Sequence, residues 1–186
     1  MKTPIITRFC TGLAALALVV TFTLAPAAAR AQTKDSEDIS KYLSEAKTHA
    51  ILAEEDASTL EAYANSNMSW ESHAARLENM REHVNDLGKT VKELTDLRAE
   101  GSPWQQEAID RINPLLRSMA DQLSATINHL SNNKERVHMP AYRDYVRANS
   151  ELASRTASVI KDLVDYGKAK SRAESLEMKL ELPASK

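Results

Sequence analysis

The sequence predicts an all-α protein, an antiparallel up-down-up-down four-helix bundle with left-handed, coiled-coil-like packing, behind a cleaved signal peptide. Three observations predict it. Apolar residues recur at alternating steps of three and four over four long stretches, whereas a half-buried strand would need a step of two. Short polar or Pro/Gly-marked connections separate the stretches. A basic start and an apolar run precede them all.

The chain opens with Met1, Lys2 and Arg8, followed by an apolar run from Gly12 to Leu24, Pro26, and Ala29-Arg30-Ala31. A basic segment, an apolar segment and an A-x-A site read as a secretory signal peptide over residues 1–31, cut after Ala31. The run is too short to span a bilayer, and no twin arginine is present. The expected location is therefore the periplasm or the extracellular space, with no integral membrane span in the mature chain. Residues 1–31 hold three of the 24 basic residues and none of the 26 acidic ones, so the remainder carries 21 against 26, a net of −5. That balance argues against a nucleic-acid partner. Cys10, the one cysteine, leaves with the leader, so the mature chain has no disulfide, thiol nucleophile or thiolate ligand.

The bundle is expected over residues 36–182. Ser36 caps the first helix (about 36–64), with Glu37 and Asp38 at the positive end of its dipole. Its seam is Ile39, Leu43, Ala46, Ala50, Ala53, Ala57, Leu60 and Ala64, and the alanines in its middle invite close approach of a neighbour. Glu54-Glu55-Asp56 reads as exposed surface. The second helix (about 69–99) has the cleanest heptad seam: Trp70, His73, Leu77, Met80, Val84, Leu87, Val91 and Leu94. Gly88 beside it is either a close-packing point or a weak spot.

Gly101-Ser102-Pro103-Trp104-Gln105 is the strongest punctuation. Gly101 suits a left-handed helix end, Ser102 a cap, Pro103 the first helical position, and Gln105 completes a capping box. The third helix (about 103–132) uses Ala108, Ile112, Leu115, Leu116, Met119, Leu123, Ile127 and Leu130, and Pro114 should kink it. The fourth (about 140–176) starts at Pro140 and should turn Tyr142, Tyr145, Asn149, Leu152, Thr156, Val159, Leu163 and Tyr166 inward. From Leu176 to Leu182 the apolar residues alternate. That segment reads as a frayed amphipathic helical tail or as an extended segment able to join a partner's sheet edge.

Chemistry-bearing patterns are few. The only Glu-x-x-His is Glu135 to His138, in a connection, so a di-iron bundle is excluded. There is no C-x-x-C-H, no H-E-x-x-H, no phosphate-binding glycine loop and no G-x-S-x-G. No cofactor and no enzymatic activity are expected. His73 breaks the apolar rule on its seam. Pairing Leu97 with Trp104 across the short turn places His73 level with His129, with Tyr145 nearby and Asn149 a turn away. The metal candidates are therefore His73 and His129, against a hydrogen-bonded polar layer that fixes register. His49 and His83 should face solvent, and Trp70 and Trp104 should plug opposite ends. The expected function is that of an exported non-enzymatic bundle acting through an unknown protein partner or self-association. The alternative is a metal- or small-ligand-binding or sensing bundle using the His73 and His129 layer.

Overall fold

The computed structural model describes residues 34–181. Helix α1 spans Glu37–Ala64, α2 Trp70–Asp96, α3 Pro103–Asn132 and α4 Pro140–Lys179, and 3₁₀ turns at Arg98–Glu100 and Lys134–Arg136 lead into α3 and α4. There is no strand among the described residues. The leader expected over residues 1–31 lies outside them. No described helix is long and apolar enough to cross a membrane. Helix α1 packs on α2 and α4, and α3 packs on the same two, so the helices surround one core in cyclic order.

The seams of α1 and α2 are buried as their periodicity requires. All eight predicted residues of α1, from Ile39 to Ala64, are buried. In α2 every seam residue from His73 to Leu94 is buried, and Trp70 packs against the core partly exposed. Alanines 46, 50, 53 and 57 are at most 2% exposed, so α1 lies close against both neighbours without a gap that larger side chains would have to fill.

Helix starts follow their caps. The Ser36 side chain accepts from the Ile39 N–H at 3.4 Å, and Pro103 and Pro140 occupy first helical positions where no N–H is needed. Gln105 does more than complete a capping box. Its Oε1 accepts from the N–H of Ser102 at 3.1 Å and of Ser36 at 2.9 Å. Its Nε2 donates to the Ser36 carbonyl at 2.9 Å and the Ser40 hydroxyl at 3.1 Å. A wholly buried amide is thereby satisfied on both sides while it joins the starts of α1 and α3.

Several expectations are corrected. Gly101 is extended (φ −77°, ψ 150°) rather than left-handed. Its lack of a side chain serves packing, because a Cβ there would lie 2.9 Å from Ile39 Cδ1. Gly88 is not a close-packing point, since a Cβ would meet nothing within 4 Å. Asp56 is buried, not exposed. His49 and His83 are half-buried rather than solvent-facing. Helix α3 runs from Pro103 to Asn132 with Pro114 inside it, as expected, and the Asn113 amide beside the proline donates to the Ile109 carbonyl and the Thr95 hydroxyl.

The inward face of α4 is turned relative to expectation. Tyr142, Asn149 and Thr156 are buried as predicted, but Val146, Ala153, Ala157, Ile160 and Val164 complete the face. Tyr145, Leu152, Val159 and Leu163 are half-buried on its flank, and Tyr166 is 53% exposed. The apolar arc of α4 is wide enough for two faces, and its packing on α1 and α3 settles which one is buried. The alternating segment is helical as far as Lys179, which overturns the extended reading for residues 176–179.

The glycines yield opposite predictions. Gly88→Ala should raise stability by about 0.5–1 kcal/mol, because it removes helix-interior glycine without a clash. Gly167→Ala should lower it, because the new Cβ would fall 2.7 Å from the Trp104 ring. Urea unfolding of both variants checks the pair, and a destabilised Gly88→Ala would contradict the open space found there.

Candidate functional site

His73 lies in the first turn of α2, and the core closes over it completely. Its Nδ1 is 3.1 Å from the Tyr142 hydroxyl of α4, a hydrogen bond whose direction depends on the imidazole tautomer. Tyr63, in the last turn of α1, meets the imidazole edge-on at 5.9 Å between centroids, and Tyr142 does so at 5.3 Å. Nε2 has no partner among the described residues. In either tautomer one polar atom of this ring is therefore buried unpaired, at a cost of about 1–3 kcal/mol.

His129, near the end of α3, reaches the same place from the other side of the core. It lies 6.1 Å from Tyr142 in a stacked arrangement (19°) and 4.6 Å from Tyr145, tilted by 31°. Both predicted histidines and Tyr145 thus belong to one cluster, but Tyr142 is the side chain that touches both imidazoles. The sequence places Tyr142 on the seam without marking it as the link. No group of three His, Cys, Asp or Glu side chains is placed to hold a metal among the described residues. A metal here would have two imidazole nitrogens at most and would need tyrosine or solvent to complete its shell.

A turn further along, the buried Asn149 donates through Nδ2 to the Thr126 hydroxyl, which itself donates to the Gln122 carbonyl at 2.9 Å. Asn149 Oδ1 is buried without a partner. The α3–α4 boundary is therefore polar over two turns, the pattern of a register-fixing layer.

A second polar cluster, missed in the sequence, lies between α1 and α2. Arg76 Nη1 donates to Asp56 Oδ1 at 2.6 Å, and His83 Nε2 stands 3.6 Å from Oδ2. The bond to Asp56, seconded by Tyr63, raises the Arg76 pKa above its ordinary value. The Arg76 guanidinium sits 6.0 Å from the centroid of the Tyr63 ring, so this cluster adjoins the His73 site through Tyr63. The available signal was the spacing of Arg76 and His83 by two turns on one flank of the α2 seam.

At another point on the surface Trp104 donates from Nε1 to Asp35 at 2.8 Å, its ring covers Gly167, and Tyr166 meets it edge-on at 5.3 Å. Burial works to raise the Asp35 pKa, but hydrogen bonds with Ser102, Trp104 and Lys170 outweigh it and hold the carboxyl below its ordinary value. Lys170 donates to the same carboxylate at 3.1 Å. Beside it runs a groove of about 730 Å³, with Leu43, Trp104, Val164 and Leu176 on its walls and Lys34, Lys41, Lys168 and Arg172 among its rim residues.

Comparison with models of protein families, with curated protein sequences and with solved structures finds no match. The functional reading therefore rests on the geometry above.

The His73 cluster makes stability depend on pH. Burial, with the nearby charge of His138 second, lowers the His73 pKa from its ordinary 6.5, and burial raises that of the Tyr142 hydroxyl, so both are neutral at pH 7. The unfolded chain takes up a proton near 6.5 that the folded chain resists. The contribution of His73 is then complete above about pH 6.5 and is lost as pH falls below it. Asp35 acts lower, below its ordinary 3.8. His73→Gln, which does not titrate, should flatten the fall in thermal midpoint between roughly pH 6.5 and 5. A slope equal to that of the parent protein would show that His73 stays uncharged in the unfolded chain or is not buried.

Proposed function

We propose that the chain is an exported, non-enzymatic four-helix bundle, wound up-down-up-down with antiparallel neighbours, that acts by binding another protein or itself. The observation that carries the binding role is the far end of α4. Of the six large hydrophobic side chains exposed among the described residues, Tyr166, Leu176, Met178 and Leu180 lie there. Apolar side chains gathered in this way on a polar surface mark a contact site rather than chance exposure.

The winding is supported by which ends meet. Gln105 joins the starts of α1 and α3, while Asp35, just before α1, holds Lys170 late in α4. The last turn of α1 and the first turns of α2 and α4 meet at Tyr63, His73 and Tyr142. The alternating three and four steps support left-handed packing. Export is supported by the leader pattern of residues 1–31, and the absence of catalytic motifs in the sequence supports a binding role.

Two measurements test this reading. The intact mass of protein recovered from outside the cytoplasm should correspond to a chain beginning at Gln32, and full-length protein retained in the cytoplasm would overturn export. Deleting residues 175–186 should abolish self-association or chemical cross-linking to partners while leaving the helical unfolding transition in place. Unchanged association would remove the α4 end from the function.

A second reading is favoured by one observation, the unpartnered Nε2 of His73. It makes the His73 and His129 layer a site for a transition metal or a small hydrogen-bonding ligand. Calorimetric titration with zinc or copper should then give heat that His73→Ala abolishes. No heat from the parent protein, or equal heat from the variant, would end this reading.

A further inference from the structure

Helix α4 has 40 residues, against 28, 27 and 30 for α1, α2 and α3. Lys170 is the last of its residues to hold another helix or its lead-in by a hydrogen bond or ion pair among the described residues. From there to Lys179 the helix runs on for about 14 Å at 1.5 Å per residue. Along this end Tyr166, Ala169, Ala173, Leu176 and Leu180 follow one another at steps of three, four, three and four. They face away from the buried side defined by Ala157, Ile160 and Val164, because residues nine, thirteen or sixteen positions apart fall on roughly opposite sides of an α-helix. All five are exposed. Apart from the Trp104 ring of α3 against Tyr166, no described helix lies on this heptad seam, which has Tyr166, Ala173 and Leu180 at its a positions and Ala169 and Leu176 at d.

Charges beside the seam decide what can cover it. The g positions are Asp165, Arg172 and Lys179, and the e positions are Lys170 and Glu177. In a parallel pair each g residue faces the e residue of the partner's next heptad. A second copy of this chain would then set Asp165 against Lys170 and Arg172 against Glu177, once in each direction, with opposite charges at all four contacts. An antiparallel pair would instead bring like positions together: Lys170 against Glu177, but Arg172 against Lys179, two cations. Asp165 and Lys170 are partly occupied within the chain, by Lys47 and Asp35. Arg172 and Glu177 have no ion-pair partner among the described residues, so theirs are the contacts that discriminate.

We infer that the occupant of this seam is a second copy of the chain, its α4 end lying parallel to the first to form a short two-stranded coiled coil. This rests on the self-association arm of the proposed function and gives it a surface and an orientation. The small residues at Ala169 and Ala173 let the two helices approach closely, and Leu176 and Leu180 supply most of the apolar area.

Sedimentation equilibrium on the purified protein should show a dimer. Leu176→Asp with Leu180→Asp should leave a monomer whose circular dichroism and thermal midpoint match the parent, because neither residue belongs to the bundle core. Arg172→Glu should raise the dimer dissociation constant by about tenfold, and Glu177→Arg added to it should restore the parent value. With Cys10 replaced by serine, Ala169→Cys should form an intermolecular disulfide on oxidation, because only the parallel arrangement sets residue 169 beside its own copy. A dimer unaffected by the leucine changes would overturn this surface and leave self-association standing. A monomer at every concentration would overturn both, leaving a different protein as partner. A dimer that fails to cross-link through residue 169, or that the double charge exchange does not restore, would overturn the parallel orientation.

Discussion

The amide of Gln105 is the constraint on which the heights of the helices depend. One buried side chain makes five hydrogen bonds, two to the backbone of Ser36, one to the Ser40 hydroxyl and two to the N–H and hydroxyl of Ser102. A buried amide with any of these missing would carry an unpaired group, so α1 and α3 cannot slide past each other without breaking several bonds together. Hydrophobic seams alone would leave that freedom, since sliding by one heptad presents a similar row of side chains. Trp104, next to Gln105, extends the same lock to α4 through Asp35, Gly167 and Lys170.

At the His73 cluster the core is held by polar groups that are only partly satisfied. His73 and Tyr142 bond to one another across the core, and the aromatic rings of Tyr63, Tyr145 and His129 surround them. Gln105 fixes position with every group paired, whereas His73 and Asn149 each keep one buried atom unpaired. Such a layer specifies register at a cost in stability. That cost is a physical reason to look for a ligand there, and equally a reason the protein should weaken in acid.

The proposed functions divide between these interior groups and the surface of α4. Four helices close one core, and four of the six large hydrophobic side chains exposed among the described residues lie outside it along the far end of α4. A helix continued beyond its own bundle with an apolar stripe offers that stripe to a partner. That stripe links the proposed binding role to the proposed parallel pairing through Arg172 and Glu177.

By itself the sequence determined that the described chain is helical, where each helix starts, and which faces of α1 and α2 are buried. Those properties are local: caps, prolines and three-four periodicity act within a few residues. It also marked His73 and His129 as the residues worth examining and brought them to one place. What it could not decide were choices between faces that are locally equivalent. The wide apolar arc of α4 allowed either Tyr145 and Val159 or Val146 and Ile160 inward, and packing against the neighbouring helices decided for Val146 and Ile160. Asp56 looked like part of an exposed acidic run until Arg76 of α2 was placed over it. Gly101 looked like a left-handed cap until Ile39 filled the space where its side chain would be. Tyr142 became the link between the two histidines only when α2 and α4 were brought together across the core. In each case the deciding partner lies on another helix, 20 or more residues away, and no local pattern carries its position.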